Sequence, residues 1–328
     1  MAGELWRQYW QLGKETTPGT TVAATRRMYF GSDSKGSRER AARPHKFATA
    51  SRDNVRAFTL GPTEVGGDWS MPLSADELIE WLLMSIAGGV TPTGSSPYVW
   101  TFTPGTSLDA ATAEWYDGAR GWDMGGVLIN KLTFEGSVEG ENMVKAEPFA
   151  QNMAIATPTG SLAEGVPTFI EGWETKLFVD SFGGTPGSTQ VNGTLINWNI
   201  EIDNMIERKY FAQNTLNAGA LPLGELGVKA KLTFEAAPSG TATEFSNWDG
   251  ATKRLVRLDF GNNDLISGSD YRYVRIDIPG AWDAVDLGGS DKGTRTYELG
   301  LQYVYDPTNA FGLQIIAQND RSAAWADR

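Results

Sequence analysis

The side chain best suited to acid–base chemistry is His45, the only histidine in the chain. A serine hydrolase would need this imidazole beside a nucleophile and a carboxylate. The G-x-S-x-G turn that presents such a serine is absent from the sequence. Zinc would require clusters of histidine or cysteine, and the chain has no cysteine. The sequence therefore predicts no catalytic residue, no metal site and no cofactor.

Two pairs of carboxylates, Asp283/Asp286 and Glu139/Glu141, are close enough in sequence to bind a hard cation. Neither pair has the spacing of a calcium loop. A glycosidase needs two opposed carboxylates, but 40 acidic residues always offer pairs and nothing selects one. We therefore interpret these residues as turn and surface positions.

Several of the 12 tryptophans lie in segments that read as exposed, where an indole ring can stack on a sugar. Such residues are more often core or subunit-interface anchors. A carbohydrate-binding β-sandwich therefore remains an alternative, and a β-rich glycan hydrolase is a further one. The tryptophans concerned are Trp69, Trp115, Trp122, Trp173 and Trp248.

The net charge of −12 argues against a protein that grips nucleic acid, because phosphate binding requires lysine and arginine. The charge is compatible with a surface that avoids sticking to DNA. Residues 1–10 lack the apolar core of a signal peptide. The longest apolar run, residues 78–87, is far shorter than the ~20 residues that span a bilayer. We expect no membrane partner.

Strand signals recur along the whole chain and predict a mainly β, β-rich α+β fold. Residues 195–206 alternate most clearly. Leu195, Asn197, Asn199, Glu201 and Asp203 share one face, opposite Ile196, Trp198, Ile200, Ile202 and Asn204. Similar runs predict strands at 98–102, 127–138, 176–179, 271–278, 297–305 and 313–317, with the last two paired through a turn at 306–309.

Helical signals are confined to two segments. Ser74 followed by Glu77 predicts a capping box at the start of a helix over residues 76–87, which a Gly-Gly pair ends. The apolar stripe of this helix predicts packing against a sheet. A second, shorter helix is predicted around residues 244–248.

Internal echoes indicate a duplicated β unit. Leu-Ile-Asn at 128–130 and 195–197 is followed in each case by Phe-Ala-Gln-Asn, at 149–152 and 211–214. Ile-Ala-Gln-Asn at 316–319 is a third echo. The pentapeptide Lys-Leu-Thr-Phe-Glu, at 131–135 and 231–235, implies a different register. We favour the Leu-Ile-Asn register, with a hairpin in each copy, and treat the pentapeptide as a coincidence of similar strands.

Residues 31–56 are polar and locally basic within an acidic protein, and they predict a long loop. A solvated loop is one interpretation. The other is an arm that docks on an acidic surface of a neighbouring copy. The basic residues of this segment are Lys35, Arg38, Arg40, Arg43, Lys46, Arg52 and Arg56.

The N-terminal segment carries a family resemblance. Residues 13–30, GKETTPGTTVAATRRMYF, resemble the N-terminal signature of tail tube proteins of bacteriophages with long, non-contractile tails. In that family a Gly-Thr-x-Val-Ala stretch leads into the first strand and a long loop follows. The order of the predicted helix, the long hairpin from residue 128 and the closing strands is similar to that family over most of the chain.

The resemblance implies a structural virion protein rather than an enzyme. Family members form rings that stack into a tube, and their antiparallel sheets join into a ring-wide β-barrel. DNA and the tape measure protein pass through the channel, without specific binding of the DNA. Tail terminator and tail tip proteins would contact the tube ends, and assembly would take place in the host cytoplasm.

Longer members of the family carry two fused units and form rings of three with pseudo-sixfold symmetry, whereas shorter ones form rings of six. The length and the echoes of this chain resemble the two-unit type. The expected units are two antiparallel β-sandwich or barrel units with short flanking helices. Residues 1–155, including the loop at 31–56, form the first unit and residues 156–328 form the second.

The resemblance also assigns two surfaces. By position, the basic segment at 31–56 corresponds to the loop that contacts the neighbouring ring. A polar strand face suits the channel, because a negative lining repels phosphate and lets the genome slide. The residues that we expect to face the channel are Asn197, Asn199, Glu201 and Asp203, followed by Glu135, Glu139 and Glu141.

Overall fold

A computed structural model describes residues 4–160, 162–236 and 241–326, without the side chains of Leu5, Thr241, Ala242 and Asn262. Residues 1–3 of the segment examined for a signal peptide lie outside this part of the chain. The prediction of a mainly β fold is confirmed, since strands dominate the described residues.

The first half contains ten strands and one helix among the described residues. The strands are β1 (Tyr9–Lys14), β2 (Arg26–Met28), β3 (Lys35–Lys46), β4 (Val55–Pro72), β5 (Thr93–Gly94), β6 (Tyr98–Phe102), β7 (Ala111–Tyr116), β8 (Gly121–Ser137), β9 (Met143–Ala150) and β10 (Asn152–Ile155). Helix α1 (Leu78–Ser85) follows β4.

The second half contains eight strands and one helix among the described residues. The strands are β11 (Thr175–Ser181), β12 (Gln190–Val191), β13 (Leu195–Asp203), β14 (Gly227–Glu235), β15 (Arg254–Ser267), β16 (Asp270–Asp291), β17 (Thr294–Tyr303) and β18 (Gln314–Asn319). Helix α2 (Thr241–Asp249) follows β14, as predicted. Single 3-10 turns lie at Leu5–Arg7 and Gly172–Glu174.

Apart from the β5–β6 pair, the strand pairings of the first half recur in the second half in the same order. Strand β1 pairs with β2 and β7, as β11 pairs with β12 and β15. Strand β4 pairs with β3 and β9, as β14 pairs with β13 and β17. Strand β8 pairs with β7, β9 and β10, as β16 pairs with β15, β17 and β18.

Strands β8 and β16 each run through two sheets. The first part of β8 pairs with β7 and β10, and its second part with β9. In β16 the partners change in the same way, from β15 and β18 to β17. Each strand has a bulge after the change, at Asn130 in β8 and at Asp283 in β16. The bulges therefore provide matching landmarks in the two halves.

The two halves are joined by direct strand pairing. Strand β13 of the second half lies between its own hairpin partner β14 and β8 of the first half. Strand β18 likewise pairs with β6. One hydrophobic cluster extends through both halves and includes Trp10, Leu132, Trp198 and Ile276.

Helix α1 is buried on all sides, so its packing extends beyond the single stripe that the sequence predicts. The predicted capping box is wrong. The helix begins at Leu78, and no side chain caps its first turn. Glu77 is held elsewhere, because one of its carboxylate oxygens accepts a hydrogen bond from Arg26 Nη2 at 2.7 Å.

Each helix carries a buried glutamate. Glu80 of α1 binds Arg321 at 2.5 and 3.0 Å, and Arg26 lies 3.6 Å away. Burial alone would raise the pKa of Glu80, but the two guanidinium groups outweigh it and lower the pKa to about 2. Glu244 of α2 binds Arg254 at 3.0 Å and accepts a hydrogen bond from the Trp282 indole.

Three further predictions differ from the structure. Strand β18 pairs with β16 and β6 rather than with β17, because the 306–309 turn carries the chain away from β17. Residues 195–214 form no hairpin, since β13 turns back through β14. The favoured Leu-Ile-Asn register is therefore wrong for the second copy. The two copies of the pentapeptide lie in β8 and β14, the two neighbours of β13.

Candidate assembly surfaces

A polar face extends across strands β9, β8, β13, β14 and β17, which are paired in that order. Side chains on alternate residues of these strands point to opposite sides of the sheet. On β13 the prediction is confirmed for Trp198, Ile200 and Ile202, which are buried. The opposite side chains of all five strands form the polar face.

Five of the predicted channel residues lie on the polar face. Four of them lie along β13, namely Asn197, Asn199, Glu201 and Asp203. The fifth, Glu135 of β8, pairs directly with Asn199. The structure does not bring the other two to this face. Glu139 lies in the turn after β8, where it binds Lys292, and Glu141 forms a bridge with Glu171.

The polar face carries both signs of charge. Lys131 Nζ lies 2.8 Å from a Glu201 oxygen, Lys145 pairs with Glu135 at 2.5 Å, and Lys231 pairs with Glu298 at 3.3 Å. The hydrogen bond to Glu201 raises the pKa of Lys131. Sequence reasoning missed these lysines, although the period-2 pattern places them on the same face as the acids. The side chains concerned are Lys131, Lys145, Lys229 and Lys231 against Glu135, Glu147, Glu201, Asp203, Glu235 and Glu298.

The basic segment predicted as a loop is instead one side of a long antiparallel hairpin. Strands β3 and β4 remain paired from Lys35↔Asp68 out to Lys46↔Val55. Between Val55 and Glu64, β4 pairs with no described strand other than β3. We call this projecting part, residues 40–63, the arm. The polar composition indicated exposure correctly, but exposed polar residues also form strands when the backbone of a partner strand satisfies them.

The predicted basic residues are distributed along this hairpin. Lys35 pairs with Asp68 at 3.1 Å at the root, and Arg40 Nε donates to Thr63 Oγ1 at 2.9 Å where the arm begins. Arg52 lies in the turn at 47–54. Arg38, Arg43, Lys46 and Arg56 are exposed along the strands.

The arm is amphipathic, which the sequence reading missed. Pro44 pairs with Phe58 and Ala42 with Leu60, so these apolar side chains share one face. Phe58 is 68% exposed and Leu60 is 44% exposed. The opposite face carries Arg43, and it also carries His45, whose Nε2 lies 3.0 Å from Thr59 Oγ1. The missed signal is the alternation over 57–60, just beyond the basic segment.

Residues 204–226, which connect β13 to β14, support the root of the arm. The Thr63 N–H donates to Leu216 O at 2.7 Å, and the Tyr210 hydroxyl donates to Thr63 O at 2.9 Å. Arg208 Nη2 donates to Val65 O at 2.9 Å. A small hydrophobic cluster formed by Ile206, Ala218 and Leu221 packs this connection against the protein.

The N-terminal signature is held by two buried carboxylates. Glu15 accepts hydrogen bonds from the backbone N–H groups of Gly19 and Gly126. Gly19 has a φ of +85°, which favours glycine at this turn. Glu114 accepts from the Ala24 N–H at 3.0 Å. The Gly-Thr-x-Val-Ala stretch is thus fixed between β1 and β2.

The structure gives little support to a sugar-stacking surface. Trp69 is buried, Trp115, Trp122 and Trp248 pack against the core, and Trp173 is 63% exposed. The described residues contain no cluster of three or more histidine, aspartate or glutamate side chains able to hold a metal ion. In the same part of the chain, no helix combines the length and hydropathy needed to cross a membrane.

Comparison with known proteins identifies the family. A family model described as phage tail tube protein matches residues 7–294, which include the N-terminal signature, the arm and most of the polar face. A search of curated proteins gives no significant match. The chain therefore belongs to the phage tail tube proteins, structural components of the virion tail that self-assemble into a tube.

Proposed function

We propose that this chain is a fusion of two tube units and that three copies close into a ring with pseudo-sixfold symmetry. The observation that carries the proposal is the recurrence of the strand pairings of β1–β4 and β7–β10 in β11–β18, with the helices at matching places. The units correspond to residues 1–155 and 156–328. A ring of six single-unit chains is the arrangement that this proposal replaces.

The polar face lines the channel in the proposed ring. It is a continuous five-stranded surface, and its buried side packs on the core, so only the polar side chains remain for solvent. Carboxylates outnumber lysines on it, and salt bridges neutralise several charges. DNA and the tape measure protein pass along this lining without specific binding, because acids limit phosphate contacts and paired lysines are unavailable to them.

The arm contacts the next ring of the stack. An isolated two-stranded hairpin with exposed apolar residues is marginally stable in water, and Phe58 and Leu60 are among the most exposed apolar side chains of the arm. Burial on a neighbouring copy would remove this apolar surface from water. The basic side chains then meet acidic surface of an overall negative chain. These are Arg40, Arg43, Lys46, Arg52 and Arg56.

The remaining partners follow from the position of the protein in the tail. Tail terminator and tail tip proteins bind the two ends of the tube, and the rings assemble in the host cytoplasm. We infer that the protein has no enzymatic role and needs no cofactor, and its membership of a structural family supports this inference.

The test is the composition of the ring. Purified protein at increasing concentration is examined by negative-stain microscopy and native mass spectrometry. We expect stacked rings whose single-ring mass is three times 35.6 kDa. A ring of six chains would refute the fused-unit proposal, and a protein that stays monomeric at every concentration would refute ring formation itself.

A further inference from the structure

Two strand edges of the extended sheet have no partner among the described residues. One is the outer edge of β3, which pairs only with β4. The other belongs to the second part of β16, residues 281–291, which pairs only with β17. Unpaired edges present backbone N–H and C=O groups that another strand can bind. The two edges lie at opposite ends of the sheet order β3–β4–β9–β8–β13–β14–β17–β16.

Within the chain, the equivalent two edges of the first and second halves are already paired with each other. Strand β13, the counterpart of β3, pairs with β8, the counterpart of β16. In this internal contact Glu201 pairs with Thr133, Ile202 with Leu132, and Asp203 with Lys131. The first half thus offers its β8 edge to the second half, whereas the equivalent β16 edge of the second half is uncovered.

The bulges fix which residues correspond on the β16 side. Thr133 pairs with Lys145, and Asp286 pairs with Glu298. When Asn130 is aligned with Asp283, these two pairs occupy equivalent positions. Asp286 is therefore the counterpart of Thr133. Val285 is likewise the counterpart of Leu132.

The same alignment fixes the β3 side. Lys145 pairs with Ser70 of β4, and its counterpart Glu298 pairs with Thr233 of β14. Ser70 and Thr233 are therefore counterparts. The residues four positions earlier, Gly66 and Lys229, are counterparts as well. Ser37 pairs with Gly66, and Glu201 pairs with Lys229. Ser37 is therefore the counterpart of Glu201.

The two free edges are also complementary in charge. Residues 281–291 carry exposed Asp283, Asp286 and Asp291 and no basic residue. The facing part of β3 carries Lys35, Arg38 and Arg40 against one acid, Glu39, so its net charge is positive. Leu287, 45% exposed on the β16 edge, would be covered by an added strand. Opposite charges on neighbouring strands stabilise pairing.

We propose that the β3 edge of one copy pairs, antiparallel, with residues 281–291 of the next copy. Residues 284–286, which lie between the two bulges of β16, keep the register of the internal β8–β13 contact. Ser37 of one copy lies opposite Asp286 of the other, and Arg38 lies opposite Val285. Lys35 and Glu39 are the two diagonal neighbours of Asp286, and Lys35 is the one of opposite charge, within reach for a lysine side chain. This seam rests on the proposed ring, and it places Lys35 and Arg38 within the ring rather than between rings.

Cysteine cross-linking tests the seam directly, because the natural chain has no cysteine. Directly opposed residues of antiparallel strands lie within the Cα separation that a disulfide requires. Oxidation of a mixture of Ser37→Cys protein and Asp286→Cys protein should give a covalent species of twice 35.6 kDa. Either variant oxidised on its own should form no covalent dimer at the seam. The double variant Thr133→Cys/Glu201→Cys is the matched control, since its disulfide closes within one chain.

The outcomes separate the seam from the ring. Rings by microscopy, together with a closed control disulfide but no dimer from the mixture, would refute the seam and leave the ring standing. Absence of rings from the wild-type protein would refute both.

Discussion

Between β3 and β4 the chain extends into a projecting hairpin, whereas between β13 and β14 residues 204–226 fold back onto the protein. The two connections occupy the same place in the repeated strand order. The first exposes Phe58 and Leu60, and the second buries Ile206 and Leu221 in a small cluster of its own. The folded-back connection supports the root of the hairpin, so the second half of the chain serves as the base for the arm of the first. In the proposed two-unit arrangement, one unit supports the arm that the other presents for assembly.

The largest expected effect concerns the buried glutamates of the two helices. Arg321→Ala should lower the free energy of unfolding by about 3–5 kcal/mol, because Glu80 would keep its buried charge without its closest partner. Urea denaturation measures the change. The matched variant Arg254→Ala should cost less, since the side chains of Arg254 and Glu244 are 17% and 8% exposed, against 5% and 0% for Arg321 and Glu80. Equal losses in the two variants would contradict the contrast between the halves.

Acid should weaken the first half through the same carboxylate. The pKa of Glu80 is lowered from 4.5 to about 2 in the folded protein. Its contribution to stability is therefore fully present above pH 4.5 and is lost as the pH falls towards 2. The shift corresponds to about 3 kcal/mol. Urea titrations between pH 6 and pH 2 measure it, and Arg321→Ala should show a smaller acid loss. An identical pH dependence in both proteins would contradict the assignment to Glu80.

A smaller effect is expected where one connection supports the other. Tyr210→Phe removes the hydroxyl that donates to Thr63 O and leaves that carbonyl with one partner fewer. The free energy of unfolding should fall by about 1 kcal/mol. Hydrogen exchange at residues near 63 should increase, while exchange in β14 stays unchanged. Tyr305→Phe, at an exposed tyrosine remote from the arm, is the control. Unaltered exchange near residue 63 would show that the arm root needs no support from this connection.

The smallest effect on stability is expected for substitutions on the arm itself. Phe58→Ser should change the free energy of unfolding by less than about 0.5 kcal/mol, because the side chain is already exposed in the single chain. The same change should abolish or strongly shorten stacked tubes in micrographs. Ala57→Ser lies on the opposite face and should leave tube length unchanged. Tubes of normal length from Phe58→Ser would remove the arm from the inter-ring contact.

The sequence pattern predicted the local structure of the polar face well. The alternation over residues 195–206 correctly separated Trp198, Ile200 and Ile202 from the polar side, because burial on one face of a strand leaves a period of two. The pairing of β13 with β8 was not predictable in this way. A strand pattern carries no information on which distant strand lies beside it.

The internal sequence echoes also failed to predict which strands are equivalent. Short identities such as Leu-Ile-Asn at 128–130 and 195–197 occupy non-equivalent strands, β8 and β13. The true recurrence lies in the pairings, between segments such as 281–283 and 128–130 whose side chains differ. Similar backbones tolerate many side chains of suitable size and polarity. The two halves therefore share their strand pairings but not their amino-acid sequence. The arm was missed as a hairpin for a related reason, since its charges described its exposure and not its hydrogen bonds.

The internal β8–β13 contact has a consequence for the cost of building a tube. Each association of separate molecules costs an estimated 4–15 kcal/mol in lost translational and rotational freedom. A pair of units on one chain meets at the effective concentration set by its tether rather than by the solution. In the proposed ring, every second seam is therefore present before any two molecules collide. The ring then depends on the third power of the protein concentration rather than the sixth, which favours growth at low expression levels.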